Sequence, residues 1–254
     1  MNASLALSAL LLVGCWSAPL RAADPVPQAP AGRALDALFP PPAQPLAIPG
    51  QGEELPLAGL VERFGAATGV HFVYTKETSQ MLQVARANVG RTLEVLPANA
   101  WEVFETLLFE NDFWIAPLGE TQPRLFGLYS LNTQSRASAR THARYVAVSE
   151  IDAWARHPAI LVTTVVDLPY TDVRTLSNSM RTMFTDANTQ QIIPVGNSNS
   201  LIVTGFGSNV ASIVRMLRLV DEASKAVPAR PVPAAEPQPD AQPAPQREAA
   251  KNPR

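Results

Sequence analysis

Proline placement constrains this chain more than any other feature. Of its 24 prolines, eight fall between residues 25 and 49 and eight more among the last 28 residues. A chain so rich in proline, alanine and glutamine buries too little apolar surface to offset the entropy lost on ordering. The sequence therefore divides into a leader over 1–22, a Pro-rich linker over 23–52 and a disordered Pro/Ala-rich tail over 225–254. Between them lie two foldable stretches, 53–131 and 159–224, separated by a polar, basic linker over 132–158. Hydrophobic residues make up 46% of the whole and mean hydropathy is +0.02, ordinary values for a globular protein. A net charge of −2 lacks the basic excess of nucleic-acid binders, so no nucleic-acid partner is expected.

The leader reads as an export signal. Residues 5–13 form an apolar run too short to cross a bilayer, which takes roughly 20 residues. No Lys or Arg precedes it. Two cleavage patterns compete within it. "LVGC" over 12–15 matches the bacterial lipobox, in which Cys15 is lipidated and becomes the mature N-terminus. "LRA" over 20–22 offers an ordinary small-residue cut. Cys15 is the only cysteine, so the foldable stretches have no disulfide and no thiol chemistry. The expected location is the periplasm, with an outer-membrane anchor if Cys15 carries lipid.

Both foldable stretches read as small α+β units. In the first, Leu57, Leu60, Val61 and Phe64 recur at helical spacing and Gly69 stands at the C-cap. "VHFVY", "TLEVL", "FWIAPL" and "RLFGLYSL" supply strand candidates. "NAWEVFETLLFEN" supplies a second helix with Asn99 as N-cap, a stripe of Trp101, Phe104, Leu107 and Leu108, and a left-handed stop at Asn111. In the linker, Arg136, Arg140, His142 and Arg144 read as a solvated basic face, with no aromatic interleaved to stack on a base. The second stretch runs strand, helix, hairpin, helix. "ILVTTVVDL" is the strand; Thr171 or Asp172 caps a helix carrying Val173, Leu176, Met180, Met183 and Phe184. "IIPVGNSNSLIVTG" over 192–205 forms the hairpin around Gly196, and Ser208 or Asn209 opens a helix with Val210, Ile213, Val214, Leu217 and Val220 inward. Two one-faced helices over one face of a small sheet is the economical packing.

Catalytic chemistry is absent from the pattern. His71, His142 and His157 are far apart and lack HxxxH or CxxC company, so no metal site is expected. His71 lies in a strand, on its solvent side. There is no nucleophile elbow and no Walker loop. Gly205 and Gly207 could begin a GxGxxG, but the third glycine is missing, and a turn explains the pair better. Asp167, Asp172 and Asp186 could be paired carboxylates, yet helix capping accounts for two of them. No enzyme activity and no cofactor are expected.

A family resemblance enters on the second stretch. Its "LPYTD" over 168–172, "NSLIVT" over 199–204 and "IVRMLRLVD" over 213–221 match, in order and spacing, an L-x-Y/N-A/T-D junction, an N-S-L-I-V-T strand and an I-x-x-L-x-x-L/V-D helix. These pieces resemble the periplasmic repeat domain of bacterial secretins. The first stretch resembles more weakly, through "LAGLVERFGAATGVHFVY" and "AWEVFETLLFENDFWIAPLGE", the short domain that begins secretins and TonB-dependent receptors. The resemblance implies an α+β fold in two small domains, the second a βαββα, KH-like repeat. It lacks the GxxG loop by which KH domains grip RNA. It also implies a hairpin whose exposed faces contact neighbouring copies in a ring, with Tyr170, Asn197, Asn199 and Ser200 as contact residues. The implied partners are a secretin, other secretion or pilus proteins, or further copies of this chain. Secretins continue into a pore-forming β-barrel; the tail here has no alternating strands, so this chain is not expected to form a channel alone. Two rival readings are a binding module of the TonB-receptor signalling type and an exported hydrolase with an unrecognised site.

Overall fold

The computed structural model describes residues 35, 37–50, 55–119, 122–184, 186–196 and 198–226. The expected α+β class is observed: helices and small sheets intermix, with no barrel among the described residues.

In the first half, helix α1 (Leu57–Thr68) buries Leu57, Leu60, Val61 and Phe64, the expected face. It ends at Gly69, whose φ of 72° lies in the left-handed region that glycine enters without steric cost. Strand β3 (His71–Val73) follows, then helix α2 (Lys76–Val84), absent from the sequence-based expectation. Its N-cap Thr75 accepts a hydrogen bond from the Thr78 amide at 3.2 Å. Strand β2 (Leu55–Pro56), before α1, pairs antiparallel with β4 (Arg86–Ala87), after α2. Helix α3 (Ala100–Phe109) leads through β6 (Phe113–Pro117) to β7 (Leu125–Ser130). The sheet order is β3-β7-β6, with β3 parallel and β6 antiparallel to β7. Two expected caps differ. Asn99 makes no cap hydrogen bond, because a 3-10 turn over Pro97–Asn99 feeds α3 and its side chain instead accepts from Arg156 at 3.0 Å. The left-handed residue after α3 is Asp112, with φ of 63°, while Asn111 donates back to the Leu107 carbonyl.

The second half shows the expected order. Strand β9 (Leu161–Asp167), helix α4 (Val173–Met180), the hairpin of β10 (Gln191–Pro194) and β11 (Ser200–Phe206), and helix α5 (Gly207–Ala226) follow one another. Asp172 caps α4 through the Arg174 amide. A fourth strand, β8 (Arg144–Tyr145), completes a sheet ordered β10-β11-β9-β8. Helix α5 begins at Gly207 rather than at a Ser208 or Asn209 cap. Glycine is required there by close approach: a Cβ would lie 2.5 Å from the Trp154 carbonyl oxygen and 2.8 Å from that of His157.

Both linkers are partly folded, which corrects the sequence reading. Within 23–52, Leu38, Phe39 and Ile48 are buried. Strand β1 (Leu46–Ile48) pairs with β5 (Leu93–Val95), and the Pro40 carbonyl accepts from the Trp101 indole at 2.9 Å. Proline loses its donor but keeps its acceptor, so a few apolar anchors between prolines suffice to order the chain. Residues 132–158 also fold, as a 3-10 helix over Gln134–His142, strand β8 and a 3-10 turn over Ile151–Arg156. Ala139 is fully buried there, Arg136 pairs with Asp186 at 3.1 Å, and Arg140 donates to Gln191. The basic face is thus partnered within the chain.

The halves consequently touch rather than hang on a free connector. Ile115 and Ile160 form a parallel bridge between β6 and the start of β9. The rings of Phe39, Trp101 and Trp154 carry one apolar core across the boundary, with Phe39 5.1 Å from Trp101 and 5.9 Å from Trp154. A smaller cluster of Trp114, Ala139, Leu161 and Phe206 joins the halves a second time.

Candidate functional site

The three motif pieces of the second half converge at one end of its sheet. Asp221, on the last turns of α5, accepts from the Tyr170 amide at 2.9 Å and from the Thr171 hydroxyl at 2.8 Å, both through Oδ1. The Leu168 amide donates to the Asn199 carbonyl at 2.7 Å, and the Asn199 side-chain amide reaches the Pro169 carbonyl at 3.5 Å. Ser200 Oγ donates to Asp167 Oδ1 at 2.6 Å. Asp172 accepts from the Thr175 hydroxyl and the Arg174 amide, and these bonds hold its carboxyl below the ordinary carboxylate range. The Arg174 guanidinium reaches the Gly196 carbonyl in the hairpin turn, and the Lys225 ammonium stands 5.3 Å over the Tyr170 ring.

This end of the molecule therefore gathers Tyr170, Asn199 and Ser200, three of the residues singled out in sequence. Tyr170 is 52% exposed. Asn197 and Cys15 lie outside the described residues. The motif spacing acquires a physical meaning: Asp221 satisfies backbone and hydroxyl donors at the strand-to-helix junction, so the last motif residue holds the first motif in shape. Sequence reading matched Asp221 to the pattern without assigning it that role.

The sheet above this end has two unequal faces. Val162, Val166, Leu201 and Val203 pack under α4 and α5 with Val173, Val210, Val214 and Leu217. On the opposite face, cross-strand register aligns Tyr145 with Thr163, Val165 with Ile202, and Ile202 with Ile193. The Trp114 cluster covers the Leu161–Phe206 end of that face. The rest is open: Tyr145 is 68% and Ile193 39% exposed.

Among the described residues, no group of three His, Cys, Asp or Glu side chains is placed to hold a metal ion. A cleft of about 750 Å³ opens between α1, β3 and α2, lined in part by Glu62, Gly65, His71, Tyr74 and Gln83. His71 is exposed there, as expected. A buried acid–base contact, His157 with Glu105 at 2.7 Å, lies elsewhere, at the boundary between the halves. Sequence reading passed over it, although Glu105 falls on the apolar stripe of Trp101, Phe104 and Leu108, where a carboxylate needs a partner.

No family model matches the chain, and no curated protein is found similar to it. Among solved structures, its neighbours include secretin N-terminal domains and their complexes. It is similar to the GspC–GspD complex of the enterotoxigenic Escherichia coli type II secretion system, at 14% identity over 70% of this chain and 99% of that one, with a TM-score of 0.25. It is similar to the Klebsiella pneumoniae type II secretion outer membrane complex of PulD, PulS and the PulC HR domain, at 18% identity over 65% of this chain, with a TM-score of 0.45. It spans only 25% of that chain. A third neighbour is the N-terminal domain of the secretin XcpQ from Pseudomonas aeruginosa, at 12% identity over 70% of this chain and 64% of that one, with a TM-score of 0.23.

Proposed function

We propose that this chain is a non-enzymatic, exported interaction module of the secretin N-terminal type. It acts in the periplasm, assembling with further copies of itself or docking on a secretin ring of a type II secretion or type IV pilus-type apparatus. The observation that carries this reading is the half-open sheet face of Tyr145, Val165, Ile193 and Ile202. It adjoins a polar end that gathers Tyr170, Asn199 and Ser200, where the carboxylates of Asp167 and Asp221 are taken up by hydrogen bonds that shape the junction. An apolar sheet face edged by fixed hydrogen-bonding groups suits protein contact, where a few buried apolar anchors carry most of the affinity. The matched pieces over 168–172, 199–204 and 213–221 support the same reading, because their bonds build the surface rather than a reaction centre. Export follows from the apolar run over 5–13.

The test is binding of the purified chain to itself and to purified secretin N-terminal domains, read by native mass spectrometry and titration calorimetry. Association is expected, and Ile193→Asp should weaken it about tenfold or more while leaving the circular dichroism spectrum unchanged. A chain that stays monomeric and binds no secretin domain overturns the reading.

A further inference from the structure

The two halves meet on a buried ionisable pair. Glu105 on α3 is 0% exposed; its Oε1 lies 2.7 Å from His157 Nδ1, and its Oε2 accepts from the Ala159 amide at 3.3 Å. Phe39 stacks on the imidazole with ring centroids 4.1 Å apart, and Trp154 lies 5.5 Å away. The next residues pin the halves together. The Ile115 amide donates to the Ala159 carbonyl and the Gly207 amide to the Ile160 carbonyl, each at 2.9 Å. Residues 157–160 are thus held from one side by α3 and β6 and from the other by α5.

We propose that Glu105 and His157 form a proton-dependent lock between the two halves, closed while the pair shares one proton and loosened when that proton is lost. With one proton the pair is either neutral or a compensated ion pair, and both suit a site in which the carboxylate is fully buried. Without it, a carboxylate stands beside a neutral imidazole and a net charge is left buried, which is costly. Burial, the largest influence, pushes the Glu105 carboxyl above its ordinary range; His157 and the Ala159 amide pull it down, and Glu102 pushes it up again. The sign follows. A carboxyl whose folded pKa is raised contributes stability in full below the ordinary value and loses it as pH rises through the folded value.

The other charges around the pair are few. Glu102, one turn earlier on α3, is bonded to Arg156 at 3.0 Å, and Asp152 on the same 3-10 turn as Arg156 is held by Arg215 at 2.6 Å and Arg218 at 3.5 Å. Strand β6, the first residues of β9, the first turn of α5 and residues 37–41 bring no titratable side chain. Glu105 and His157 are therefore the buried groups through which a proton can act on this contact, the exposed Glu102–Arg156 pair being a further ion pair across it.

Amide hydrogen exchange by NMR on the full chain tests the lock, with rates corrected for intrinsic pH dependence. The Ile115 and Ala159 amides report on the contact, and amides within β11 serve as the internal reference. From mildly acidic to mildly alkaline pH, protection at Ile115 and Ala159 should fall about tenfold for each pH unit by which the pair's proton affinity differs between closed and open states, while β11 stays protected. In Glu105→Gln, whose amide oxygen still accepts from Ala159, that pH dependence should vanish. The same wild-type samples allow the Glu105 carboxyl to be titrated by its carbon chemical shift, so the result does not depend on the variant folding. Protection at Ile115 and Ala159 that stays constant through the Glu105 titration overturns the proposal, as does an equal fall in Glu105→Gln.

Discussion

One carboxylate organises the polar end of the second half. Asp221 is 9% exposed and accepts from both the Tyr170 amide and the Thr171 hydroxyl, donors that α4 cannot satisfy because they precede its first turn. Asp221→Ala leaves the Tyr170 amide without this acceptor and the Thr171 hydroxyl with only its longer contact to Ser224 at 3.4 Å, so it should lower stability by about 1–3 kcal/mol. Asp221→Asn keeps an acceptor oxygen and should cost less. Urea denaturation of the two variants checks this, and equal losses would show that the shared acceptor is not what holds the junction. Glu105 offers the contrasting lesson. A reader of the helix stripe can see that it faces the core, but its partner sits 52 residues later and only folding brings the two together.

At the scale of elements, helix and strand identities were largely legible because periodicity reports burial directly. Helix α1, the α4–hairpin–α5 order and the Gly69 cap all follow from spacing and cap chemistry. Helix α2 escaped because its buried set is only Thr78 and Leu82, too sparse a stripe to read. The 3-10 helix over Gln134–His142 escaped for a related reason: its single buried residue is Ala139, and its arginines look solvated until Asp186 and Gln191 are folded against them. That segment should therefore resist proteolysis. Trypsin is expected to cleave the tail well before Arg136, Arg140 or Arg144, since cutting there requires opening the Ala139 cluster. First cleavage at Arg140 would mean the segment is not packed in solution.

For the whole molecule, the two halves share an apolar core through Phe39 and a second contact through Trp114, so they should respond to solution conditions together. Acid acts on them in two senses. Asp172 and Asp186 have carboxyls held below the ordinary range. For Asp186 burial pushes upward but is outweighed by bonds from the Asn188 amide, the Thr189 hydroxyl and Arg136. Their contribution is present above the ordinary carboxylate value and is lost as pH falls through their folded values, opposite in sign to that of Glu105. Anchoring is also a property of the whole chain. If Cys15 carries lipid, the protein is held to a membrane through its N-terminus; if the cut follows Ala22, it is released. Cys15→Ser is expected to leave the membrane fraction and lose its acyl label under the lipobox reading. Mature protein that begins at Ala23 by mass spectrometry, with an unchanged distribution, would rule lipidation out.

The sequence by itself determined the α+β class, the element order of the second half and the junction motif, because each depends on neighbours a few residues apart. Tertiary structure alone decided that Phe39, set among prolines, would become a core residue. It also decided that the basic connector would fold, and that Glu105 would meet His157. Those outcomes rest on contacts between residues tens of positions apart. Burial of an aromatic ring, or pairing of a buried charge, supplies free energy only once the surfaces that enclose it have come together.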